Sequence, residues 1–308
     1  MRMRQSDNME RCGWMLLALV FLVGILGAAR ATPIVQLDMI EVPGFETPES
    51  VAVGPDGRYY VSNIGGNGVP EDGSIKAISG NPFDGTVTVT DVATGLNDPT
   101  GTVFVGTRLF VVDDDRVWQI ETTGDMAGEK NVFLPPDRFP GGTGMLNDIA
   151  ADEDGHLFIS DTNRGIIFAA NLDGEVTLFL DAGPANPLRM PNGVIVDEEG
   201  GFGGEPGSVL VIDLRNGNLV AIAPDGSSAS IIARRFGAGD GLAFDAAGNL
   251  YISDFVRGRV FRLEPNLSSS VIARMRSPAD LTVDVERNWL VVPNFLKDTV
   301  TFVRLSSL

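Results

Sequence analysis

Alternating apolar and polar positions, separated by short turns rich in glycine, aspartate and asparagine, run through most of the chain. The segment from Gly239 to Asp254, GDGLAFDAAGNLYISD, shows the pattern on both sides of a turn at Ala246 to Asn249. Such alternation predicts a β-hairpin with one face in a core. Helical periodicity is almost absent, so the pattern predicts an all-β protein.

The hairpin recurs along the chain, and further alternating runs such as Gly73 to Ser79 usually follow it. The six copies begin 51, 47, 45, 48 and 39 residues apart, at Glu49, Thr100, Asn147, Asn192, Asp240 and Ala279. A period in the forties with four strands per repeat is typical of a propeller blade. The sequence therefore predicts a six-bladed β-propeller, with an open repeat array or a pair of β-sandwiches as the alternative.

The two ends of the chain favour a closed ring. From Ala279 onward 30 residues remain, enough for three strands, and the alternating segment Ile34 to Val42 precedes the first repeat. This N-terminal strand can complete the last blade, which would leave no open sheet edge. We therefore predict a single domain over residues 32–308.

Residues 1–31 have the parts of a secretory signal peptide. An arginine-containing start leads to an apolar run from Trp14 to Ala29, and the small-residue ending Ala29-Arg30-Ala31 follows. This order predicts cleavage after Ala31 and a secreted or periplasmic protein without membrane association. The alternative is an uncleaved anchor, because the run approaches the length of about 17 residues that a membrane span needs.

Composition limits the partners of the mature chain. Cys12 would leave with the leader, so an apolar core and not disulfides must stabilise the fold. Of the 23 basic and 41 acidic residues, four basic and two acidic ones lie in the leader, which leaves a net charge of −20. This charge repels phosphate backbones and argues against nucleic acid as a partner. We expect a monomer that acts on a small molecule.

Candidate chemistry lies at the start of each repeat. The first strand of a blade lines the channel, so the residues that begin the repeats should meet around the axis. Oxygen-bearing side chains occupy most of these positions, namely Glu49, Thr100, Asn147, Asn192 and Asp240. Each Asn or Asp alone is an ordinary turn residue. Together, four carboxylate and amide oxygens at one point predict a hard divalent cation, Ca²⁺ or another, whereas zinc would require sulfur or imidazole.

Three stretches carry a family resemblance: LNDIAADEDGHLFISD from Leu146, PNGVIVD from Pro191 and the hairpin from Gly239. With Glu49 at the entry to the first repeat, the chain resembles the SMP-30/gluconolactonase/luciferin-regenerating-enzyme family of six-bladed propellers. It is similar more distantly to paraoxonases and diisopropyl fluorophosphatase, and in repeat style to NHL propellers. The resemblance implies that one divalent cation is coordinated by four side chains, those of Glu49, Asn147, Asn192 and Asp240. It also implies that Asp240 is the base or nucleophile.

At some positions this sequence differs from the pattern of that family, and these differences limit which substrate and mechanism we expect. Its sugar lactonases tend to have an arginine two residues before the first asparagine, where this chain has Met145, so gluconolactone is not the expected substrate. Arg189, three residues before Asn192, is placed to neutralise an anionic substrate. The only histidine, His156, falls in a hairpin turn at the far end of its strand, which argues against a histidine-based mechanism.

Aspartates recur at two further positions. The second strands of four hairpins end in an aspartate, at Asp113, Asp161, Asp213 and Asp254. An Asx-turn is the simplest interpretation, and the alternative is contact with the ligands of the metal cluster on the same face. Asp148 and Asp280 lie at the start of the first strand, where they can orient neighbouring ligands.

The expected function is an exported, calcium-dependent hydrolase of a lactone or related ester. Asp240 or Asp148 would deliver the attacking water, and Thr100, Arg189 and Met145 would contact the substrate. The alternative is a non-catalytic propeller of NHL type that binds a protein, glycan or small ligand and holds calcium structurally.

Overall fold

The computed structural model describes residues 37–307 except residues 184 and 203. The expected signal peptide and its cleavage site lie outside the described residues. Within them the chain forms 24 strands, β1 to β24, and short 3₁₀ turns at Pro82–Asp84, Gly124–Met126, Pro136–Arg138, Phe295–Lys297 and Leu305–Ser307. No helix in this part of the chain is long and apolar enough to cross a membrane.

Five sheets each consist of four consecutive antiparallel strands, ordered from the channel outward as they occur in the chain. In the first three blades the strands are β2 Pro48–Val53, β3 Tyr59–Asn63, β4 Gly73–Ser79, β5 Thr88–Leu96, β6 Pro99–Val105, β7 Arg108–Asp113, β8 Arg116–Glu121, β9 Lys130–Leu134, β10 Leu146–Ala151, β11 Leu157–Asp161, β12 Ile166–Ala170 and β13 Val176–Leu180. In blades four and five they are β14 Pro191–Asp197, β15 Ser208–Asp213, β16 Leu219–Ile222, β17 Ala229–Ala233, β18 Gly239–Phe244, β19 Leu250–Asp254, β20 Arg259–Leu263 and β21 Ser269–Arg274.

The sixth blade joins the two ends of the described chain. Its strands are β22 Thr282–Asp284, β23 Trp289–Asn294, β24 Thr299–Arg304 and, outermost, β1 Met39–Pro43. β1 pairs antiparallel with β24, with Met39 opposite Val303. The six-bladed propeller and its closure by the N-terminal strand are therefore confirmed. The observed strand begins at Met39, and Ile34, where the alternating pattern starts, lies outside the described residues.

The core lies between neighbouring blades and not inside any single sheet. One cluster packs Phe110 of blade two against Ile159 and Phe168 of blade three, and similar clusters fill the other boundaries. A blade in the ring is covered on both faces, which is why every residue of β3, β11 and β19 is buried. The innermost strands β2, β6, β10, β14, β18 and β22 contact one another in turn around the channel.

Candidate metal centre at the channel mouth

A break in strand register marks the start of the innermost strand in each of the first five blades. The breaks fall between Pro48 and Val51, Pro99 and Thr102, Leu146 and Ile149, Pro191 and Val194, and Gly239 and Leu242. Each irregular pair of residues includes one of the oxygen-bearing positions expected from the sequence: Glu49, Thr100, Asn147, Asn192 and Asp240. Bulges redirect side chains and are common next to active sites. They explain how these five residues leave the pleat on one face of the ring.

A recurring serine on the second strand supports the bulge in three blades. The hydroxyl oxygens of Ser62, Ser160 and Ser253 accept hydrogen bonds of 2.8, 3.0 and 2.8 Å from the backbone N–H groups of the residues that follow Glu49, Asn147 and Asp240. Each N–H would otherwise have lost its ladder partner, and a buried unpaired N–H is costly. The serine is visible in the sequence as the repeated ending ISD or VSN, but its role depends on the bulge.

Four of the expected residues present side-chain oxygens that accept no hydrogen bond. These buried atoms are Glu49 Oε2, Asn147 Oδ1, Asn192 Oδ1 and Asp240 Oδ1. The four residues are only 4–6 % exposed. Buried polar atoms almost always have a partner, so four such atoms at equivalent positions of one ring require an explanation. The four oxygens therefore lie buried and without hydrogen-bond partners near the starts of four innermost strands.

Electrostatics show that the carboxylates of different blades interact. Burial raises the pKa of Glu49 well above its usual value, and the charge of Asp240 adds to that effect although it comes from blade five. Burial also raises the pKa of Asp240, with a further contribution from Asp280. No described Lys, Arg or His contributes to these two shifts. The cluster thus lacks a protein cation to offset its buried acids.

Asp148 and Asp280 belong to a second set of contacts around the channel. Asp148 Oδ1 and Oδ2 accept backbone N–H groups of Ile149 and Val194 at 2.8 and 2.7 Å. Asp280 Oδ2 accepts the Ser50 hydroxyl at 2.7 Å. Both aspartates line a channel cavity of about 290 Å³. Burial raises the pKa of Asp280 to about 7. These contacts link neighbouring blades and hold the bulged strands in place.

Close packing explains the glycines that follow two of the expected residues. A Cβ atom on Gly101 would overlap the carboxylate of Asp148, and one on Gly241 would overlap that of Asp280. A side chain at either position would push the inner strands apart. The glycines in TGT from Thr100 and in DGL from Asp240 are therefore explained by the close approach of neighbouring innermost strands.

The three residues expected to contact the substrate differ in their exposure and in their hydrogen bonds. Thr100 is buried and its hydroxyl donates to the backbone oxygen of Asn147 at 2.6 Å. Met145 is 43 % exposed at the rim. Arg189 is exposed, but its Nη1 donates to the backbone oxygens of Asn186 and Leu188 within its own loop. Thr100 and Arg189 therefore stabilise the blade and the loop that surround the cluster.

His156 lies in the turn between β10 and β11, at the end of the blade remote from Asn147, where its Nδ1 is 2.8 Å from Asp152. Among the described residues, no group of three or more His, Cys, Asp or Glu side chains is arranged to hold a metal ion. The channel-mouth set contains two acids and two amides, so it does not form a group of that kind.

Comparisons with known proteins support the fold. The family described as strictosidine synthase-like, N-terminal, matches residues 32–67, a short segment that includes Glu49. No curated protein matches the chain. Neither finding supports membership of the SMP-30/gluconolactonase family in particular.

Solved structures similar to this chain are distant in sequence. A structural genomics protein of unknown function from Bacteroides thetaiotaomicron is 16 % identical with a TM-score of 0.64, over 87 % of this chain and 76 % of the other. A catalytically inactive histidine-to-alanine variant of virginiamycin B lyase from Staphylococcus aureus, with quinupristin, is 14 % identical with a TM-score of 0.59, over 88 % and 100 %. A chain of a nidogen/laminin complex is 20 % identical with a TM-score of 0.58, over 75 % and 90 %. At these identities the likeness shows a shared fold, and the class defined here is a six-bladed β-propeller with a polar cluster at its channel mouth.

Proposed function

We propose that this protein is an exported, calcium-dependent hydrolase of lactones or related esters. The observation that carries the proposal is the set of four buried oxygens without hydrogen-bond partners, on Glu49, Asn147, Asn192 and Asp240. Four unpartnered acceptors, two of them acidic, are unfavourable together unless a cation binds between them.

The donor set suits a hard cation. It consists of carboxylate and amide oxygens, which calcium prefers, and it contains no thiolate or imidazole. Two carboxylates supply a formal charge of −2, which matches one divalent ion. Four protein ligands also leave room for water and substrate, because calcium takes six to eight oxygens. When bound, such a cation would polarise an ester carbonyl and lower the pKa of water.

The chain's own residues then take distinct roles. Asp240 has one oxygen without a hydrogen bond and is the preferred acceptor of a proton from the attacking water. Asp148 is less suited to proton transfer, because both of its oxygens already accept backbone N–H groups. We assign it a positioning role: it ties the strand that carries Asn147 to the strand that carries Asn192. Met145 contributes an apolar rim.

Histidine chemistry of the kind suggested by the inactive lyase variant is not proposed. The only histidine, His156, lies on the opposite face from the cluster and is paired with Asp152. The lyase is also only 14 % identical to this chain, so it supports the propeller and not a mechanism.

The proposal is tested with protein passed over an immobilised chelator and assayed on a panel of lactones and aryl esters, before and after calcium is restored. We expect turnover only with the metal, and a loss of about 100-fold or more in kcat in Asp240→Asn. Calorimetric titration with calcium measures metal binding directly in the wild type and in Asn192→Ala.

The matched control is Asp225→Asn, an exposed turn aspartate on the opposite face. It should leave both turnover and calcium binding unchanged. Metal binding without turnover on any member of the panel would refute the hydrolase and favour the non-catalytic propeller. An absence of metal binding would refute both.

A further inference from the structure

A second polar cavity opens on the same face as the cluster, between blades four and five. It has a volume of about 430 Å³ and is lined by three arginines, Arg215, Arg235 and Arg257, together with Leu214, Ala238 and Val256. We call it the arginine cavity. The three arginines come from three separate loops, so no sequence motif predicts the arginine cavity.

The guanidinium groups of the arginine cavity are exposed and have no partner of their own. None of the three makes a side-chain hydrogen bond, ion pair or ring contact with the part of the chain that the structure describes. The acid that lines the cavity, Asp254, is already engaged: its Oδ2 accepts Nε and Nη2 of Arg259 at 2.8 and 2.5 Å. Three unpaired positive charges therefore share one cavity.

This concentration of charge contrasts with the rest of the protein. The full chain carries a formal net charge of −18, so most of its surface repels anions. General solubility does not explain a cluster of like charges, because neighbouring arginines repel one another. A planar guanidinium is, however, well matched to the two oxygens of a carboxylate or phosphate.

The arginine cavity lies next to the candidate metal centre. Ala238 precedes Asp240 by two residues, a separation of at most about 7 Å between Cα atoms. On the other side, the Leu214 N–H donates to the backbone oxygen of Met190 at 2.9 Å, and Met190 precedes Asn192 by two residues. The cavity is thus placed between the chain segments that carry two of the four unpartnered oxygens.

We propose that the arginine cavity binds an oxyanion, a carboxylate or phosphate, carried by the substrate, while the ester group lies at the channel mouth. This inference rests on the proposed hydrolase and specifies its substrate class as anionic lactones or esters. Val256, which is 75 % exposed at the edge of the cavity, offers an apolar surface to the carbon chain that joins the two groups.

Binding is measured first, without turnover. Glutarate and inorganic phosphate are titrated calorimetrically into protein freed of metal on an immobilised chelator, with neutral glutaramide as the uncharged comparison. We expect the two anions to bind and glutaramide not to bind. The triple variant Arg215→Gln, Arg235→Gln, Arg257→Gln should bind at least about 30-fold more weakly, because charge-assisted hydrogen bonds are lost. Added salt should weaken binding in the wild type.

The matched control is Arg108→Gln. Arg108 begins β7 on the opposite face and contacts the ring of Phe110, so its loss removes one positive charge away from the cavity. Unchanged anion affinity in the triple variant, or loss of it in Arg108→Gln to the same extent, would overturn the inference. A circular dichroism spectrum of the triple variant confirms that it is folded.

Steady-state kinetics then test whether the anion that binds in the arginine cavity is a group of the substrate. For a lactone that carries a carboxylate, the triple variant should raise KM about tenfold or more and leave kcat nearly unchanged, whereas a neutral lactone should be unaffected. Equal kcat/KM for charged and neutral lactones in the wild type would overturn the inference and leave the hydrolase intact. Anion binding lost in the triple variant, without turnover of any lactone, would instead refute the hydrolase and keep the cavity as an anion site.

Discussion

Two rings of residues on the same face of the propeller have equivalent positions in the blades but opposite states. The inner ring lies near the starts of the innermost strands and consists of Glu49, Thr100, Asn147, Asn192, Asp240 and, three residues before β22, Ala279. The outer ring ends the second strands and consists of Asn63, Asp113, Asp161, Asp213, Asp254 and Asn294. Both rings are buried. Only the inner ring concentrates acidic and amide oxygens without partners: four of the six members have one, against Asn294 alone in the outer ring.

The outer ring shows what aspartate does when its oxygens are used for the fold. Asp213 accepts four backbone N–H groups, two from the loop before β14 and two from the turn after β15, at 2.5 to 3.0 Å. Asp161 likewise accepts from Gly144, Met145 and Arg164. These residues do more than form an Asx-turn: each joins the incoming loop of its blade to the following turn.

The comparison teaches that burial does not distinguish the two rings, whereas the hydrogen-bond partners of their side-chain oxygens do. Aspartates of both rings are buried in low dielectric, where an unpaired charge is costly. The aspartates of the outer ring offset that cost with at least two donors each, which are backbone N–H groups together with, in two of them, a Trp or Arg side chain. The acids of the inner ring, Glu49 and Asp240, each keep a buried oxygen without a hydrogen-bond partner among the described residues.

The largest effect is expected from the outer ring. Asp213→Ala removes the buried acceptor of four part-buried N–H groups, and the free energy of unfolding should fall by about 3 kcal/mol or more. Equilibrium urea unfolding in metal-free buffer measures the change. Asp225→Ala, which removes the acceptor of one exposed N–H, should have a far smaller effect. A loss in Asp213→Ala no greater than that of Asp225→Ala would show that the outer ring does not stabilise the fold.

The inner ring should behave in the opposite way. In metal-free buffer Asp240→Asn should not lower the free energy of unfolding, because its Oδ1 accepts no hydrogen bond and its charge faces that of Asp280. With calcium at 100 times its dissociation constant the wild type should gain about 2.7 kcal/mol, and the variant much less. Urea unfolding at both calcium levels measures the two differences.

The calcium dependence separates the two rings. Asp213→Ala is expected to lose stability with or without the metal, since its oxygens already have partners. If Asp240→Asn gained as much from calcium as the wild type, or if the wild type gained nothing, the inner ring would not be a cation site.

Much of the fold was predictable because alternation, turn residues and the repeat spacing all indicate the same architecture. Period-two alternation on both sides of each turn defines the hairpins, and six copies with a spare N-terminal strand define a closed ring. The inner-ring residues were predictable for the same reason, since blade phase alone places Glu49, Asn147, Asn192 and Asp240 at one end of the strands.

What the sequence could not show depends on contacts between distant segments. The bulges that turn the inner ring toward the axis leave no mark in the alternation, and the serine hydroxyls act as acceptors for backbone N–H groups only because of those bulges. Arg189 is close to Asn192 in the chain, yet its Nη1 is engaged by its own loop. Arg215 and Arg257 are far apart in the chain and meet only because blades four and five are neighbours.

A smaller effect should come from the serine that supports the bulge in blade five. Ser253→Ala leaves the buried N–H of Gly241 without its 2.8 Å partner, which should cost about 1 to 2 kcal/mol. Because the bulge positions Asp240, calcium affinity should also fall, by about tenfold. Ser270→Ala, an exposed residue of β21 in the same blade, is the matched control. Lost stability with unchanged calcium affinity would mean that the bulge does not set the ligand geometry.

The smallest expected effect concerns an acid on the opposite face. It tests whether hydrogen bonds to a carboxylate stabilise its charged form there as well. Asp284 lies on the opposite face and accepts the Tyr59 hydroxyl at 2.5 Å and Arg287 Nη1 at 2.8 Å. Burial raises the pKa of Asp284, but these hydrogen bonds outweigh it and the pKa is lowered. A lowered pKa contributes stability above the ordinary value of about 3.9, and that stability is lost as pH falls through the folded-state value.

Tyr59→Phe should therefore reduce the free energy of unfolding by about 1 kcal/mol or less at pH 7, and the difference from wild type should shrink below about pH 4. Urea unfolding between pH 7 and pH 3 measures it. Tyr60→Phe is the graded control, because Tyr60 donates to the more exposed Asp56 at 2.9 Å and should lose less. A difference that stayed constant down to pH 3 would mean that the Tyr59 hydroxyl does not stabilise the charged form of Asp284. The contrast between satisfied and unsatisfied acids would then hold only on the face that carries the candidate metal centre.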